Sequence, residues 1–368
     1  MEGLLLLLFF PIAWPFIAKR IWHTTINWQE MGLQIFIVVA ATTLVWQLRT
    51  YGQTHDTEIW NGSVVSKKRD HGHYLSSYAC NCRTVTSGSG SHQTTSTECD
   101  TCYEDHYTVT WSAETTVGSV RFAHRDSTSR SVYNLPDPEI YKRCVRGEPA
   151  SIERGYINYV KAVPESLFND KNSLAETFKD AIPKYPRVYD FYRIDRVIEM
   201  GTNLPKLVHT QINNGLSETL KNLGAEKQVN IIVIFTSITD PNYRYAVENA
   251  WLGGKKNDVV LFIGLLDTQI IWSDVMTWAR NSGNELFHVK MRDGLKALRT
   301  VDAATMVPFI SETVTKHYTR PKMKDFEYLK DAIEPPVWVI IIAVMLATLG
   351  SIGLTFVFHR VDINFLNR

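Results

Sequence analysis

The chain has almost no excess charge of either sign: 39 Lys and Arg stand against 38 Asp and Glu in 368 residues, a formal charge of +1. Nucleic-acid binding draws on a basic face that displaces phosphate counterions, so no nucleic-acid partner is expected. Nucleotide and metallopeptidase signatures are missing as well. No G-x-G-x-x-G or G-x-x-x-x-G-K-[ST] offers a glycine-lined phosphate cradle, and no H-E-x-x-H sets two imidazoles on one helix face. Long uncharged runs are missing from the middle of the chain, and cysteine is scarce, with five residues.

What the middle lacks, the ends hold. Val337 to Phe358 is a 22-residue run without a charge. At about 1.5 Å per residue it crosses a hydrocarbon core of roughly 30 Å with some tilt. Pro335 and Pro336 precede it, His359 and Arg360 follow it, and Trp338 lies where an interfacial aromatic belongs. Residues 337–358 therefore read as a transmembrane helix. Met31 to Leu48 reads as another, ending at Arg49 and made less oily by Gln34, Thr42 and Thr43. The segment 1–18 is hydrophobic from Gly3 to Ala18, interrupted by Pro11 and Pro15 and closed by Lys19 and Arg20. It has no basic leader and no A-x-A-like cleavage site, so a retained anchor packed as a hairpin on the second helix is expected. An interfacial helix and a cleaved signal stay open as alternatives. Two or three spans thus flank one large segment, and the lipid bilayer is the first partner. Lys19, Arg20, Arg360 and Arg368 in the short flanks lean that segment to the outside, the periplasm of a Gram-negative host; Arg320, Lys322, Lys324 and Lys330 pull the other way.

The large segment divides in two. Residues 58–133 carry β-branched and alternating runs such as 60–66, 107–112 and 118–122, separated by Ser, Gly and Thr clusters. Residues 134–190 read as a polar connector. In 191–333 helical spacing over Leu207 to Leu223 is followed by a buried strand at Val229 to Phe235. A helix at Tyr243 to Leu252 and a second buried strand at Val259 to Leu265 come next, and 305–333 ends in a long helical stretch with Pro308 near its start. The expected fold class is an α/β sandwich plus a small cysteine-clamped β module and the membrane helices.

Cys80 and Cys82 form a C-x-C, Cys99 and Cys102 a C-x-x-C, on two arms separated by the flexible SGSGS of Ser87 to Ser91. Two such turns facing each other aim four thiolates at one point, so Cys80, Cys82, Cys99 and Cys102 are expected to hold a closed, structural Zn2+. The rival reading is two disulfides, most simply Cys80–Cys102 and Cys82–Cys99, which an oxidising compartment would favour. Cys144 is left over and reads as a buried thiol. Asn61-Gly62-Ser63 matches the glycosylation sequon, and the KKRD run at Lys67 to Asp70 reads as a solvated turn. Gly350 and Gly353 in the last span would allow close helix packing.

The runs RVIEMGTNLPKLVHTQINNGLSETLKNLGAEKQVNIIVIFTSI and YRYAVENAWLGGKKNDVVLFIGLLD, with the later MVPFISETVTKHY, resemble the TPM domain over residues 192–330. The resemblance implies an α/β domain tethered to a membrane, usually outside the cytoplasm. Members include phosphatases, calcium binders and accessory subunits of membrane complexes. The family's opening Asp falls on Glu199, its Asp after the second hydrophobic strand on Asp267, and the Gly of its "KDNG" turn on Asp258. The Asp of that turn falls on Lys256, and the glycine-rich stretch that should follow is replaced by Trp272 to Trp278. An ammonium in place of a carboxylate weakens a site for a hard cation. Separately, EIWNGSVVSKKR, CNC, CDTCYEDHY and RGEPASIERGYINYVKA resemble uncharacterised membrane proteins of tailed bacteriophages. The expectation is a membrane-anchored accessory or scaffold protein of a bacterial host inner membrane, acting through a membrane protein partner or a homo-oligomer. The alternatives are a divalent-metal-dependent phosphatase using Glu199, Asp258 and Asp267, and a phage protein that modifies the host envelope.

Overall fold

Asn27 stops the chain from fraying where the second helix begins. Its side chain accepts from the backbone N–H of Gln29 and Glu30, each at 2.9 Å, and Glu30 returns the contact by accepting from the Asn27 N–H at 2.8 Å. This capping box opens a helix far longer than the uncharged run, Trp28–Thr54 (α2). The computed structural model describes residues 2–22, 27–87, 94–163, 177–278, 283–333 and 335–360. Before α2 lies α1, Glu2–Trp22, which continues through Pro11 and Pro15. The last helix, Val337–Arg360, contains one turn of π-helix at Leu346–Gly350. Trp28–Thr54 and Val337–Arg360 are long and apolar enough to cross a membrane.

The three helices pack through polar groups turned inward. Gln34 Nε2 donates to Ser351 O at 2.6 Å and to Thr355 Oγ1 at 3.0 Å, and Trp14 Nε1 donates to the same Thr355 hydroxyl at 3.0 Å. Gln34, Thr42, Ser351 and Thr355 are all buried. The polar residues that dilute the second span are therefore its contact face, as expected where lipid cannot satisfy a donor. The glycines of the last helix are not used for close approach. A Cβ on Gly350 would meet Val38 Cγ2 at an ordinary 3.7 Å, and one on Gly353 would meet nothing within 4 Å.

No loop separates α2 from the first sheet. Thr54 ends α2 and His55, already extended, begins β1, His55–Ser87. β1 turns back as β2, Thr94–Thr115, and β3, Gly118–Ser127, follows; β4, Pro149–Ile157, joins the other edge. The antiparallel order is β3-β2-β1-β4. β4 pairs only with the first residues of β1, from His55↔Ile157 to Ser63↔Pro149. The stretch read from sequence as a connector thus supplies an edge strand. The KKRD run lies inside β1 rather than in a turn: Arg69 donates to Asp137, Tyr133 O and Leu135 O. Val64, Val109, Trp111, Ala113, Val120 and Phe122 form this sheet's core, with Tyr192 and Cys144 packed in.

The second sheet has the order β5-β6-β7-β8: β5 Val197–Met200, β6 Asn230–Thr236 and β7 Asp258–Leu266 are parallel, and β8 Gln269–Thr277 is antiparallel. Strand periodicity sorts its residues onto two covered faces. Ile231, Val233, Phe235, Leu261 and Ile263 meet the helices Lys206–Lys227, Glu285–Ala297 and Ala303–His317. Ile232, Ile234, Val260 and Phe262 meet the helix Tyr243–Ala250 and, from 134–190 again, Phe178 and Tyr185. The mixed α/β architecture expected from sequence is present. One element differs: the long helical stretch ends at His317, and a separate 3-10 segment follows at Met323–Ala332. Pro321 lies between them, lacks an N–H and disfavours the helical region for the residue before it.

The two sheets are pressed together at β1. An added Cβ on Gly224 of the Lys206–Lys227 helix would sit 2.6 Å from both Cβ and O of Asn61, so only glycine lets the helix backbone lie on the strand. Asn61 itself is 1% exposed and donates to Val229 O, so in the folded chain the sequon asparagine is not at the surface.

Candidate functional site

The first sheet loses its neighbours partway along. β3 accompanies β2 only from Tyr107 to Thr115, and β4 accompanies β1 only to Ser63. Beyond the His73↔Tyr107 pair the described strands continue as a bare two-stranded ribbon to Ser87↔Thr94. From Tyr74 to Ser87 this is about 45 Å of ribbon at about 3.3 Å per residue. Neither face has a core, and a lone hairpin of this kind is marginal in water. Exposed Tyr74, Leu75, Tyr78 and Tyr103 stand on it.

Covalent bonds supply what packing does not. The structure pairs Cys80 with Cys102 and Cys82 with Cys99. This is the disulfide reading of the four cysteines, on the pairing that joins outer to outer and inner to inner. The bonds flank a bulge between Cys80 and Arg83, where Asn81 takes φ 47°. Sulfurs so bonded are not thiolates and do not fit a zinc ion. Among the described residues no group of three or more His, Cys, Asp or Glu is arranged to hold a metal.

At the ribbon's base is a set of exposed histidine–carboxylate pairs. His73 Nε2 lies 2.5 Å from Asp105, and His106 Nδ1 lies 2.8 Å from Asp126. Tyr74 donates its hydroxyl to the same Asp126 at 2.6 Å. The Tyr74 hydrogen bond first, and then that from His106, hold Asp126 below its ordinary pKa. His73 stacks on Tyr107 and His106 on Tyr74. These contacts fix the direction in which the ribbon leaves the sheet.

A second polar constellation is buried where the sheets meet. Arg196 lies at its centre, 1% exposed. It donates to Asn61 Oδ1 at 2.6 Å and Ser151 Oγ at 2.9 Å on the first sheet. On the second unit it donates to Asn230 Oδ1 at 2.7 Å, Ile231 O at 3.3 Å and Ser217 Oγ at 3.3 Å. Asn230 passes the contact on to Asp258 at 2.9 Å, and Asp258 also accepts from Tyr185 and from the Lys255 N–H at 2.7 Å. Burial pushes the Asp258 carboxyl up to about 6, against the hydrogen bonds that favour its ionised form.

Asp258 therefore favours the protonated state more when folded than when unfolded. Its contribution is fully present below the ordinary pKa of 3.8 and is lost as pH rises through about 6. About two units correspond to about 3 kcal/mol. Chemical denaturation of detergent-solubilised chain should show Asp258→Asn gaining on the wild type by about 2 to 3 kcal/mol from pH 4 to pH 7. A constant difference between the two would remove Asp258 as the source.

Closer to α2, a charged cluster ties β1 to the α/β unit. Asp56 meets Lys255 at 2.5 Å and Lys161 at 3.7 Å; Glu58 meets Arg320 at 2.5 Å and Lys256 at 3.9 Å. Burial raises Asp56, but the bond and charge of Lys255 and the charge of Lys161 outweigh it and leave the group below its usual value.

The three acids taken from sequence are not brought together. Asp258 opens β7 and Asp267 follows its last residue, so nine residues and roughly 30 Å of strand separate them. Glu199 is level with Ile263 through Phe235, two strands away from β7. That is roughly 10 Å across and 13 Å along from Asp267. Glu199 instead accepts from the Leu204 N–H at 3.0 Å and contacts His209 at 2.6 Å, closing the loop ahead of the Lys206–Lys227 helix. Asp267 is exposed in the β7–β8 turn with φ 55°. Trp272 to Trp278, where the TPM resemblance calls for glycines, are mostly β8. Cys144 is buried, and that burial raises its pKa, the opposite of an activated nucleophile. Sequence reasoning missed Arg196 and the ribbon's length. The first carried no local signal; the second was legible only as two β-rich arms around SGSGS. Set against known proteins, the chain matches no family model, no curated protein and no solved structure.

Proposed function

We propose that this chain is a multi-pass, membrane-anchored accessory or scaffold protein whose disulfide-clamped ribbon is its arm for a protein partner. The observation that carries this reading is the ribbon itself: about 45 Å of strand pair without a core, stiffened by two disulfides and presenting Tyr74, Tyr78 and Tyr103 to solvent. Rigid exposed tyrosines offer large contact area at small entropic cost, a property of recognition surfaces. Two further features support it. The strand that forms the arm grows directly from the membrane helix, so the anchor and the arm are one continuous element. The disulfides suit an oxidising compartment and so favour the periplasmic side of a bacterial inner membrane for the large segment. The TPM-like half serves as a rigid base, and the resemblance to tailed-phage membrane proteins supports a partner in the host envelope.

Photo-crosslinking in cells tests this. A benzophenone amino acid at Tyr78 or Tyr103 is expected to give a discrete adduct with a membrane protein, or with a second copy of the chain. The same probe at the exposed Lys290 of the Glu285–Ala297 helix is expected to give none. Absence of adducts from the ribbon, together with clean monomeric extraction in mild detergent, sinks the reading.

A further inference from the structure

A pocket of about 310 Å³ lies at the other end of the molecule, where the chain leaves α2 and enters the last helix. One wall is Ile157 and Tyr159; Ile157 pairs with His55, the residue directly after α2. The facing wall is Met323, Lys324 and Glu327 of the Met323–Ala332 segment, which runs up to the start of the last helix at Val337. That segment is docked on the α/β unit by Phe326, edge-on to Trp278 at 5.1 Å. Arg49 near the end of α2 lies over the Trp338 ring at 5.4 Å, holding the two membrane helices together at this level. The pocket is therefore framed by the two chain segments that meet the membrane helices.

Its floor is a poorly satisfied cation. Lys256 is largely buried and lies 4.7 Å over the Tyr156 ring. Among the described residues its carboxylate neighbour is Glu58 at 3.9 Å, beyond hydrogen-bond reach. Glu58 accepts from Arg320 at 2.5 Å and from Trp60 at 2.8 Å through Oε1, and its Oε2, the oxygen on the Lys256 side, makes no hydrogen bond among the described residues. Lys324 adds a second ammonium on the rim and Glu327 one carboxylate. Lys256 and Lys324 against Glu327 leave the lining one positive charge in surplus. A largely buried ammonium whose carboxylate neighbour stays beyond hydrogen-bond reach, a second lysine in the same lining and the rings of Tyr156 and Tyr159 make a site for a phosphate anion.

We propose that this pocket binds the phosphate of a phospholipid headgroup, with Lys256 and Lys324 on the phosphate oxygens and Glu327 facing an amine such as that of ethanolamine. This assigns a role to Lys324, one of the basic residues ahead of the last helix that oppose an outward orientation by charge count: it holds lipid. The proposal rests on the membrane-anchored reading above.

The test is native mass spectrometry of the full chain released from detergent micelles containing phosphatidylethanolamine, with parallel titrations of soluble phosphoethanolamine and inorganic phosphate. Lipid affinity is expected to fall about tenfold in Lys256→Gln and in Lys324→Gln, the loss of one charged hydrogen bond each. Lys324 is exposed, so that variant keeps the fold even where Lys256→Gln does not. Glu327→Gln is expected to weaken phosphatidylethanolamine while sparing phosphatidylglycerol. Unchanged lipid occupancy in both lysine variants overturns the proposal. Lysine-dependent binding of inorganic phosphate or phosphoethanolamine with no preference for lipid supports the anion site and overturns the bilayer as its source. Carbonate extraction of membranes from the expressing cells separates the two readings. A chain released by carbonate refutes the anchor, and the inorganic-phosphate titration then still reports on the pocket.

Discussion

Reducing Cys80–Cys102 and Cys82–Cys99 releases the ribbon while the β5–β8 unit stays folded. The outer bond closes a loop of 22 residues in sequence separation. Opening that loop, which requires both bonds to be broken, returns about 3 kcal/mol of chain entropy to the open form. The inner bond, at separation 17, lies within the loop already closed and adds less. Cross-strand ion pairs cannot hold the ribbon in their place. Arg83–Glu98 is highly exposed and 3.4 Å long, and such pairs contribute little. Peptide-level hydrogen exchange should show protection between Tyr74 and Thr86, and between Thr95 and Tyr103, lost on reduction or when Cys80, Cys82, Cys99 and Cys102 are all replaced by Ser. Protection of β6 and β7 should be unchanged. Alkylation of the unfolded but unreduced chain should modify Cys144 alone. Four additional reactive thiols, or ribbon amides equally protected after reduction, would refute the clamp. The same variant should lose crosslinking from Tyr78 and Tyr103, because a loose arm must be reordered on binding.

Replacing Arg196 should be the most damaging single substitution in the soluble segment. Arg196→Met keeps much of the apolar stem but strips donors from Asn61, Ser151, Asn230 and the Ile231 carbonyl at once. Breaking a buried charged network from one side costs about 3 to 5 kcal/mol, because the remaining polar groups have no water to replace the lost partner. Asp258, which lies one hydrogen bond away through Asn230, also loses a neighbouring positive charge. Arg196→Lys should recover only part of the loss, since one ammonium cannot reach the five acceptors that the guanidinium fork spans. Denaturant midpoints of the solubilised chain decide the matter. A loss below about 1 kcal/mol would mean that the sheets are held by apolar packing alone.

The local layers of the structure were readable from residues. Uninterrupted apolar length marks the two helices long and apolar enough to cross a membrane, and apolar periods of 3.6 and 2 mark the Lys206–Lys227 helix and strands β6 and β7, because each depends on neighbours in sequence. The choice between zinc and disulfides was not local. Both demand two pairs on facing arms, and what separates them is the cross-strand register around a bulge at Cys80 to Arg83, set by the whole hairpin. The three acids show the same limit. Glu199, Asp258 and Asp267 each sit at a strand end, but whether strand ends coincide depends on direction and sheet order, which periodicity does not carry. Gln34 and Thr42 looked like impurities in an apolar span, yet they are its contact face. Asn61 looked like a surface sequon, yet it lies under Gly224. The sequence by itself determined which segments are helix, strand and span, since these follow from local burial and backbone preference. Only the tertiary structure decided where Pro149–Ile157, Phe178 and Tyr185 pack, which sulfurs join and what the buried Arg196 holds, because those contacts join residues tens to more than a hundred positions apart and are selected by the burial of the whole chain.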